Sequence, residues 1–312
     1  MELAECARFL QTHDRYLVVT HRRPDGDTLG CAGALCHALR RLGKTAWIYP
    51  NPETTETYLP FIEKYYAPGD YVPETRVAVD VAEAGILCRG YEGPVDLWID
   101  HHASRTDRSP ALVRSEKASC GEIVLELTES LLGAPDPEEA DLLYIAVSTD
   151  TGCFCYANTD AQTHRAAARL LDAGARLAPL NKLLFRTKSR ARLSLEGQIF
   201  SSMRSYRENA INVAVITLEM LRTSGVTEND CDDLANLAGL VSGNRVAITV
   251  RELSAEPPMC KISLRTDGSV DASAVCGRFG GGGHRMASGC EIALAPEEAA
   301  QAVQAAVEEL WP

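Results

Sequence analysis

The sequence lacks any apolar run of the roughly 18 residues that a membrane span needs, and it has no internal repeat. Its opening segment, MELAECARFLQTHDRY, contains acidic residues and no cationic flank before an apolar core, which is unlike a secretory signal. The eleven cysteines form no Cys-X-X-Cys pair, so reduced thiols are favoured over disulfides. We therefore expect a cytoplasmic protein with no membrane partner.

A basic excess is also missing, since the formal net charge is −12. Proteins that bind duplex DNA over a broad surface usually have a basic face. The net negative charge gives no indication of such a face. One segment, residues 181–193, is rich in Lys and Arg and has no acidic residue. We interpret it as the solvent-exposed face of a helix. The alternative is that its basic side chains line a path for bound RNA.

The length of 312 residues and a hydrophobic fraction of 46% predict two domains with separate cores. Short β-branched runs alternate with helical patterns over the first 185 residues or so, which predicts an α/β fold with a parallel sheet covered by helices. The strand-like runs are RYLVVTH, KTAWIYP, TRVAVD and VDLWID. Further helical patterns cover about 119–132, 137–148 and 160–173.

The pattern changes beyond residue 185 or so. A polar helix over about 181–207 looks like a connector, and a smaller α/β unit follows it. Its strand-like runs are INVAVITLEM, RVAITVREL, CKISLRT and GCEIAL, and its helical segments are NDCDDLANLAGLV, DASAVCGRF and the final helix. We expect a first domain at 1–185, a linker helix at 186–209 and a smaller C-terminal domain at 210–312.

Histidines and aspartates follow the predicted strands of the first domain where each strand ends. In open α/β sheets, ligands bind outside the carboxyl ends of the strands. A single strand-end aspartate is usually a helix cap or a turn former, but four segments supply such residues here. They are His21, Asp25, Asp27, Asp80, Asp100, His101, His102 and Asp150.

So many carboxylates in one place raise each other's pKa unless cations neutralise them. The mixture of His and Asp favours Mn²⁺, with Co²⁺, Fe²⁺, Zn²⁺ or Mg²⁺ as alternatives. The number of ligands supports two ions, which at roughly 3.5–4 Å separation can activate a water and clamp a phosphoryl group. One set would be His21, Asp25 and Asp80, and the other Asp27, the shared Asp80, Asp150 and one histidine of the pair 101–102.

Four motifs, HRRPDGDTLG, VAVD, DHH and STDTG, resemble those of the DHH phosphoesterase superfamily. The resemblance selects His101 as the metal ligand, leaving His102 to face the phosphate and Asp100 to orient a ligand, both as catalytic residues. Four positions depart from the family pattern without removing a ligand. Thr28 stands where a small apolar residue is expected, Cys31 where Ser is common, Ser288 where Ala is common and Cys153 where Arg is frequent.

The segment KISLRTDGSVDASAVCGRFGGGGHRMASG resembles the DHH-associated C-terminal domain, which binds substrate. Together the two domains are similar to the nanoRNase (oligoribonuclease)/pAp phosphatase family. The resemblance implies two Mn²⁺ ions per active site and hydrolysis of short single-stranded RNA and dinucleotides to mononucleotides. It also implies conversion of 3′-phosphoadenosine 5′-phosphate (pAp) to AMP, and it suggests a homodimer.

The glycine run has a physical interpretation of its own. Consecutive glycines let backbone N–H groups approach an anion and form a concave nest, to which His284 and Arg285 add donors and charge. A flexible turn is the plainer alternative. Arg265 ends a strand and would contact phosphate, unless it is simply an exposed strand arginine. The predicted substrate-binding residues are Arg265, Gly281, Gly282, Gly283, His284 and Arg285.

Three other functions compete with this prediction. A linear or cyclic dinucleotide phosphodiesterase such as one acting on pApA or c-di-AMP would share all the catalytic residues. A non-catalytic nucleotide-binding protein would be expected to have lost at least one ligand, and none is lost. A manganese pyrophosphatase is disfavoured by the GGGGH run, which that family's second domain lacks.

Overall fold

A computed structural model describes residues 1–102, 110–227, 231 and 233–311. The chain divides into two compact units, Met1–Thr187 and Lys188–Pro312. Each unit has its own sheet and its own apolar core, as the composition predicts.

The first unit contains a five-stranded sheet in which every neighbouring pair is parallel, with the order β2-β1-β3-β4-β5. This confirms the predicted parallel sheet. The fifth strand was not predicted, because three residues are too few to show a periodic pattern. The strands are β1 Tyr16–Val19, β2 Ala46–Ile48, β3 Thr75–Val79, β4 Leu97–Asp100 and β5 Ala111–Val113.

Seven α-helices are described in the first unit, and a helix follows β1 directly. Every residue of β1 is buried, so the strand can lie inside the sheet. The next helix, α2, is capped by Asp25, whose carboxylate accepts the Thr28 N–H, and Gly43 beyond its end has a φ of +78°. The helices are α1 Leu3–Thr12, α2 Gly26–Arg41, α3 Leu59–Ile62, α4 Cys120–Leu132, α5 Pro137–Asp150, α6 Ala161–Asp172 and α7 Leu177–Asn181.

Helices α2 and α5 pack with their backbones unusually close together. A Cβ atom at Gly30 would lie 2.4 Å from the carbonyl oxygen of Leu142, and one at Gly26 would lie 2.4 Å from Thr149 Oγ1. Only glycine fits at such a crossing. The close approach places the start of α2 beside the end of α5, and both ends carry predicted ligands.

The second unit contains a six-stranded mixed sheet with the order β10-β11-β9-β8-β7-β6. Only β7 and β8 pair in parallel, and the other neighbours are antiparallel. This confirms the smaller α/β unit. The strands are β6 Arg204–Tyr206, β7 Ile211–Ile216, β8 Val246–Ala255, β9 Pro258–Thr266, β10 Gly282–Gly283 and β11 Ala287–Ile292.

The predicted continuous helix over about 181–207 is wrong. A π-helical segment, Lys182–Arg186, ends in extended backbone at Thr187, and a new helix begins after Ser189, whose hydroxyl accepts the Arg192 N–H. The basic segment is partly neutralised, because Lys188 pairs with Glu196 at 2.8 Å. The helices of the second unit are α8 Arg190–Ser202, α9 Leu218–Ser224, α10 Ala272–Gly277 and α11 Pro296–Glu309, with a 3₁₀ segment Leu234–Leu240.

Helix α8 packs on the second unit rather than standing alone between two domains. Its Leu195 and Ile199 are fully buried in one cluster with Ala214 and Ile216 of β7. The predicted boundaries at 185 and 210 stay a prediction, with this helix assigned by its packing to the second unit. Within the described residues, no helix is both long enough and apolar enough to cross a membrane.

Candidate active site

Eight predicted site residues meet at the carboxyl ends of β1, β3 and β4 and at the end of α5. The aspartate after β3, Asp80, lies between two groups of ligands and is 3% exposed. Its backbone adopts a φ of +55°, a left-handed conformation that aspartate tolerates better than most residues. Its N–H donates to Ile99 O at 2.9 Å, which fixes the strand end next to β4.

The first group combines His21, Asp25 and Asp80. His21 Nε2 lies 3.7 Å from Asp80 Oδ2 and 3.9 Å from Asp25 Oδ1. One ligand atom from each residue falls within 4.8 Å of the others, which is close enough for a shared cation. These three residues are the ones the sequence assigns to one ion.

The second group surrounds His101. Its Nε2 lies 3.5 Å from Asp80 Oδ1, 3.7 Å from Asp150 Oδ2 and 3.9 Å from Asp27 Oδ2. Asp80 therefore presents one carboxylate oxygen to each group. The sequence predicts that both ligand groups share Asp80. Only the structure shows which carboxylate oxygen faces which group.

The two histidines are oriented through their other ring nitrogen. His21 Nδ1 is 2.7 Å from Arg22 O, and His101 Nδ1 is 3.3 Å from Lys117 O. A carbonyl oxygen only accepts, so each Nδ1 carries the proton and each Nε2 keeps a lone pair for a cation. Metal-binding histidines commonly make this kind of outer hydrogen bond.

Asp27 is held by the first turn of α4, which the sequence gives no means to predict. Cys120 N–H donates to Oδ2 at 2.7 Å, Gly121 N–H donates to Oδ1 at 2.9 Å, and the Cys31 thiol lies 3.3 Å from Oδ1. A helix N-terminus favours an anion. Burial and the nearby carboxylates nevertheless raise the pKa of Asp27 well above its usual value. Burial likewise raises the pKa of Asp150 to about 6.

Asp100 and His102 form a pair beside the two groups. Asp100 is fully buried, and its Oδ1 is 2.8 Å from His102 Nδ1 and accepts the backbone N–H groups of both histidines that come after it. The hydrogen bond to Asp100 raises the pKa of His102 to about 9. His102 is half exposed, so a positively charged ring is available at the edge of the site.

The donor set fits divalent cations. Asp80 Oδ1 is buried and has no hydrogen-bond partner among the described residues, although a buried carboxylate oxygen normally has one. Four carboxylates, those of Asp25, Asp27, Asp80 and Asp150, meet here. Cations would satisfy the unpartnered oxygen and remove the repulsion between the carboxylates.

The predicted substrate-binding residues lie in the second unit. The glycine run forms part of a short edge strand, and its predicted role in binding substrate stays a prediction. Gly281 N–H donates to Cys276 O, and Gly282 and Gly283 pair with β11 as a short edge strand. A Cβ at Gly281 would lie 2.3 Å from Gly289 O, so close approach to β11 explains the glycine. His284 and Arg285 come next in an exposed turn.

Arg265 is an exposed arginine of β9, with no acidic partner in the part of the chain that the structure describes. Its Nη1 donates only to the neighbouring carbonyl of Leu264, at 3.1 Å. It lines a cavity of about 330 Å³ together with Asn236, Asn244 and Thr266. Arg245 and Asp267, which pair at 3.0 Å, also line the cavity. The Arg265 guanidinium and the asparagine amides are groups that can bind a phosphate oxygen.

Comparisons of the sequence with known proteins identify a family. The DHH family, N-terminal domain, matches residues 15–147, and the DHHA1 domain matches residues 210–311. A "Bifunctional oligoribonuclease and PAP phosphatase NrnA" from Thermus thermophilus is 32% identical over 88% of this chain and 83% of that protein. The chain belongs to the DHH family, in its NrnA group.

Solved structures of other DHH-like proteins show the same fold. An exopolyphosphatase-related protein from Bacteroides fragilis superposes with a TM-score of 0.85 at 23% identity, covering 98% of this chain and 95% of that one. RecJ from Thermus thermophilus, solved in complex with Mn²⁺, superposes with a TM-score of 0.53 at 17% identity, covering 98% of this chain and 54% of RecJ. At these identities the likeness concerns the DHH fold alone.

Proposed function

We propose that this DHH protein is a metal-dependent phosphoesterase that hydrolyses short oligoribonucleotides to mononucleotides and pAp to AMP. One observation carries the proposal. Asp80 is buried between two groups of ligands and offers one oxygen to each, which is the arrangement a pair of divalent ions needs. The name of the Thermus thermophilus relative supports the choice of substrates.

The proposed cations are two Mn²⁺ ions, held by His21, Asp25 and Asp80 and by Asp27, Asp80, His101 and Asp150. When bound, divalent ions supply positive charge for the scissile phosphate and lower the pKa of a coordinated water. The mixture of imidazole and carboxylate ligands supports Mn²⁺ over Mg²⁺, which prefers oxygen ligands.

The protein groups around that centre orient the reactants. The α4 N–H groups fix both oxygens of Asp27, so this carboxylate is pre-organised before a cation arrives. Asp100 accepts from His102 Nδ1 and leaves Nε2 as the nitrogen that can donate to a phosphoryl oxygen. His102 would then neutralise charge that develops on the phosphate.

A cytoplasmic location and a homodimer belong to the same proposal. A cytoplasmic location agrees with eight buried free cysteines, which such a compartment keeps reduced. The homodimer is proposed on the family resemblance alone.

A substrate assay tests the proposed function. The purified protein would be incubated with Mn²⁺ and pAp, a five-nucleotide RNA, a linear diadenylate or pyrophosphate, and the products separated by chromatography. We expect AMP from pAp and mononucleotides from the RNA, both lost after chelation and in Asp150→Asn. Asp150 is partly exposed at a helix end, so this change should leave the fold intact.

Each other outcome has a definite meaning. Turnover of the diadenylate alone would replace the proposal with a dinucleotide phosphodiesterase, and turnover of pyrophosphate alone with a pyrophosphatase. No turnover of any substrate with Mn²⁺, Co²⁺ or Mg²⁺ would leave a nucleotide-binding protein without catalysis.

A second prediction concerns Arg265, which we propose as a phosphate ligand. Arg265→Ala is expected to raise KM for the short RNA about 10–100-fold, because a charge-assisted hydrogen bond contributes about 1.5–3 kcal/mol. The value of kcat should change little, since the lost contact is present in the ground state as well. Steady-state kinetics at saturating Mn²⁺ measure both constants.

A matched arginine on the same unit controls for lost charge. Arg278 is exposed and pairs with Glu309 at 2.6 Å, so Arg278→Ala should keep the wild-type KM. Equal KM values for Arg265→Ala and the wild type would remove Arg265 from the proposed substrate site.

A further inference from the structure

Thr28 contacts the shared ligand of the candidate metal centre. It is fully buried in the first turn of α2, and its hydroxyl donates to Asp80 Oδ2 at 2.6 Å. This length is typical of an O–H group that donates to a charged carboxylate. A threonine in a helix often donates to a carbonyl of the preceding turn, whereas the Thr28 hydroxyl donates to Asp80 and also lies near the Asp25 carboxylate.

The contact determines how the carboxylate of Asp80 is turned. With Oδ2 held by Thr28, this oxygen lies 3.7 Å from His21 Nε2, and Oδ1 lies 3.5 Å from His101 Nε2. Oδ1 itself has no hydrogen-bond partner among the described residues. Within that part of the chain, the Thr28 hydroxyl is thus the only direct hydrogen bond to this carboxylate, and it fixes the rotation of the group.

We propose that Thr28 is a positioning residue that aims the Asp80 carboxylate, so that each oxygen serves one of the two ligand groups. This inference rests on the proposed two-metal function. The small apolar residue that the motif resemblance leads us to expect at this position would have no hydroxyl to donate. The sequence marks Thr28 only as a departure from that motif.

The test measures metal binding without substrate. Metal-free protein would be titrated with Mn²⁺, and free Mn²⁺ would be followed by electron paramagnetic resonance for the wild type, Thr28→Val and Thr28→Ser. Valine has nearly the shape of threonine and has a methyl group in place of the hydroxyl. We expect Thr28→Val to weaken Mn²⁺ binding about 10–100-fold, the effect typical of losing an outer hydrogen bond to a ligand. Thr28→Ser should restore most of the affinity.

A matched variant controls for burying valine in place of threonine. Thr128 is 1% exposed, and its hydroxyl has no hydrogen-bond partner among the described residues. Thr128→Val should bind Mn²⁺ like the wild type. A kinetic readout separates positioning from packing, since raising the Mn²⁺ concentration should restore the turnover of Thr28→Val while KM for RNA stays unchanged.

The outcomes distinguish this inference from the function on which it rests. Wild-type Mn²⁺ affinity in Thr28→Val, with a working wild-type enzyme, overturns the role of Thr28 and leaves the proposed function standing. Equal weakening in Thr28→Val and Thr28→Ser also overturns it, because the hydroxyl would not be the cause. A wild-type protein that binds no Mn²⁺ overturns both.

Discussion

Replacing Asp80 with asparagine is expected to lower kcat/KM for short RNA and for pAp by about 10³-fold or more. Losing an outer partner of a metal ligand commonly costs about 10–100-fold, and Asp80 contacts both ligand groups directly. Asparagine keeps the size of the side chain and tolerates the φ of +55° at this position, which alanine tolerates poorly. The comparison therefore isolates the negative charge.

The same variant should be more stable than the wild type when no metal is present. The carboxylate of Asp80 contributes to raising the pKa of Asp27, so the two charges repel each other. Removing one charge relieves that repulsion. At alkaline pH, where the histidines that the Asp80 charge attracts, His21 and His102, are neutral, thermal unfolding of metal-free protein should show a higher midpoint for Asp80→Asn than for the wild type.

Adding Mn²⁺ should reverse this order. A ligand at 100 times its dissociation constant stabilises the folded state by about 2.7 kcal/mol, so the wild-type midpoint should rise, and that of Asp80→Asn should barely move. Full activity of Asp80→Asn, or an unchanged response to Mn²⁺, would contradict the two-metal assignment.

Several elements of the site can be predicted from local sequence patterns. Short apolar runs end at His21, Asp80 and Asp100, and the strand-end rule places these residues and their neighbours at one edge of the sheet. A short apolar run predicts a buried strand. In a parallel sheet the carboxyl ends of the strands lie at the same edge. The meeting of these side chains could therefore be predicted without a structure.

Contacts between distant segments could not be predicted in this way. Thr28 and Asp80 are 52 residues apart, and Asp27 and Cys120 are 93 apart, so no local pattern links the members of either pair. Both contacts depend on how α2 and α4 are turned against the sheet. The signal that existed was indirect: a polar Thr28 directly after the predicted ligand Asp27, in a helix whose later buried residues are apolar.

The glycine run shows the opposite difficulty. Four consecutive glycines indicate a special backbone, but the sequence does not state which one. An anion nest and a tightly packed edge strand both require residues without a Cβ. The edge strand is seen in the pairing of Gly282 with Gly289, which depends on the register of β11. Anion binding by the run stays a prediction.

Replacing Gly30 with alanine is expected to lower the free energy of unfolding of the first unit by about 3 kcal/mol or more, because it overpacks the α2–α5 contact. The new Cβ would lie 2.4 Å from the Leu142 carbonyl oxygen, and a backbone atom moves only if the whole helix moves. Separating the helices would also draw Asp27 away from Asp150. We therefore expect weaker Mn²⁺ binding and lower activity along with a lower urea midpoint.

Two other glycines give the experiment a graded scale. At Gly33 the new Cβ would meet Leu142 methyl groups at 3.0 and 3.2 Å, and because a side chain can rotate away, Gly33→Ala should cost less than Gly30→Ala. At Gly197, in the middle of α8, the new Cβ would meet no atom of the described residues within 4 Å apart from the helix's own neighbouring backbone, so alanine should stabilise that helix by about 0.5–1 kcal/mol. The backbone contact is the difference between the three sites. A Gly30→Ala protein that unfolds at the wild-type urea concentration would mean that α2 and α5 do not approach this closely, and the proximity of Asp27 to Asp150 would then need another cause.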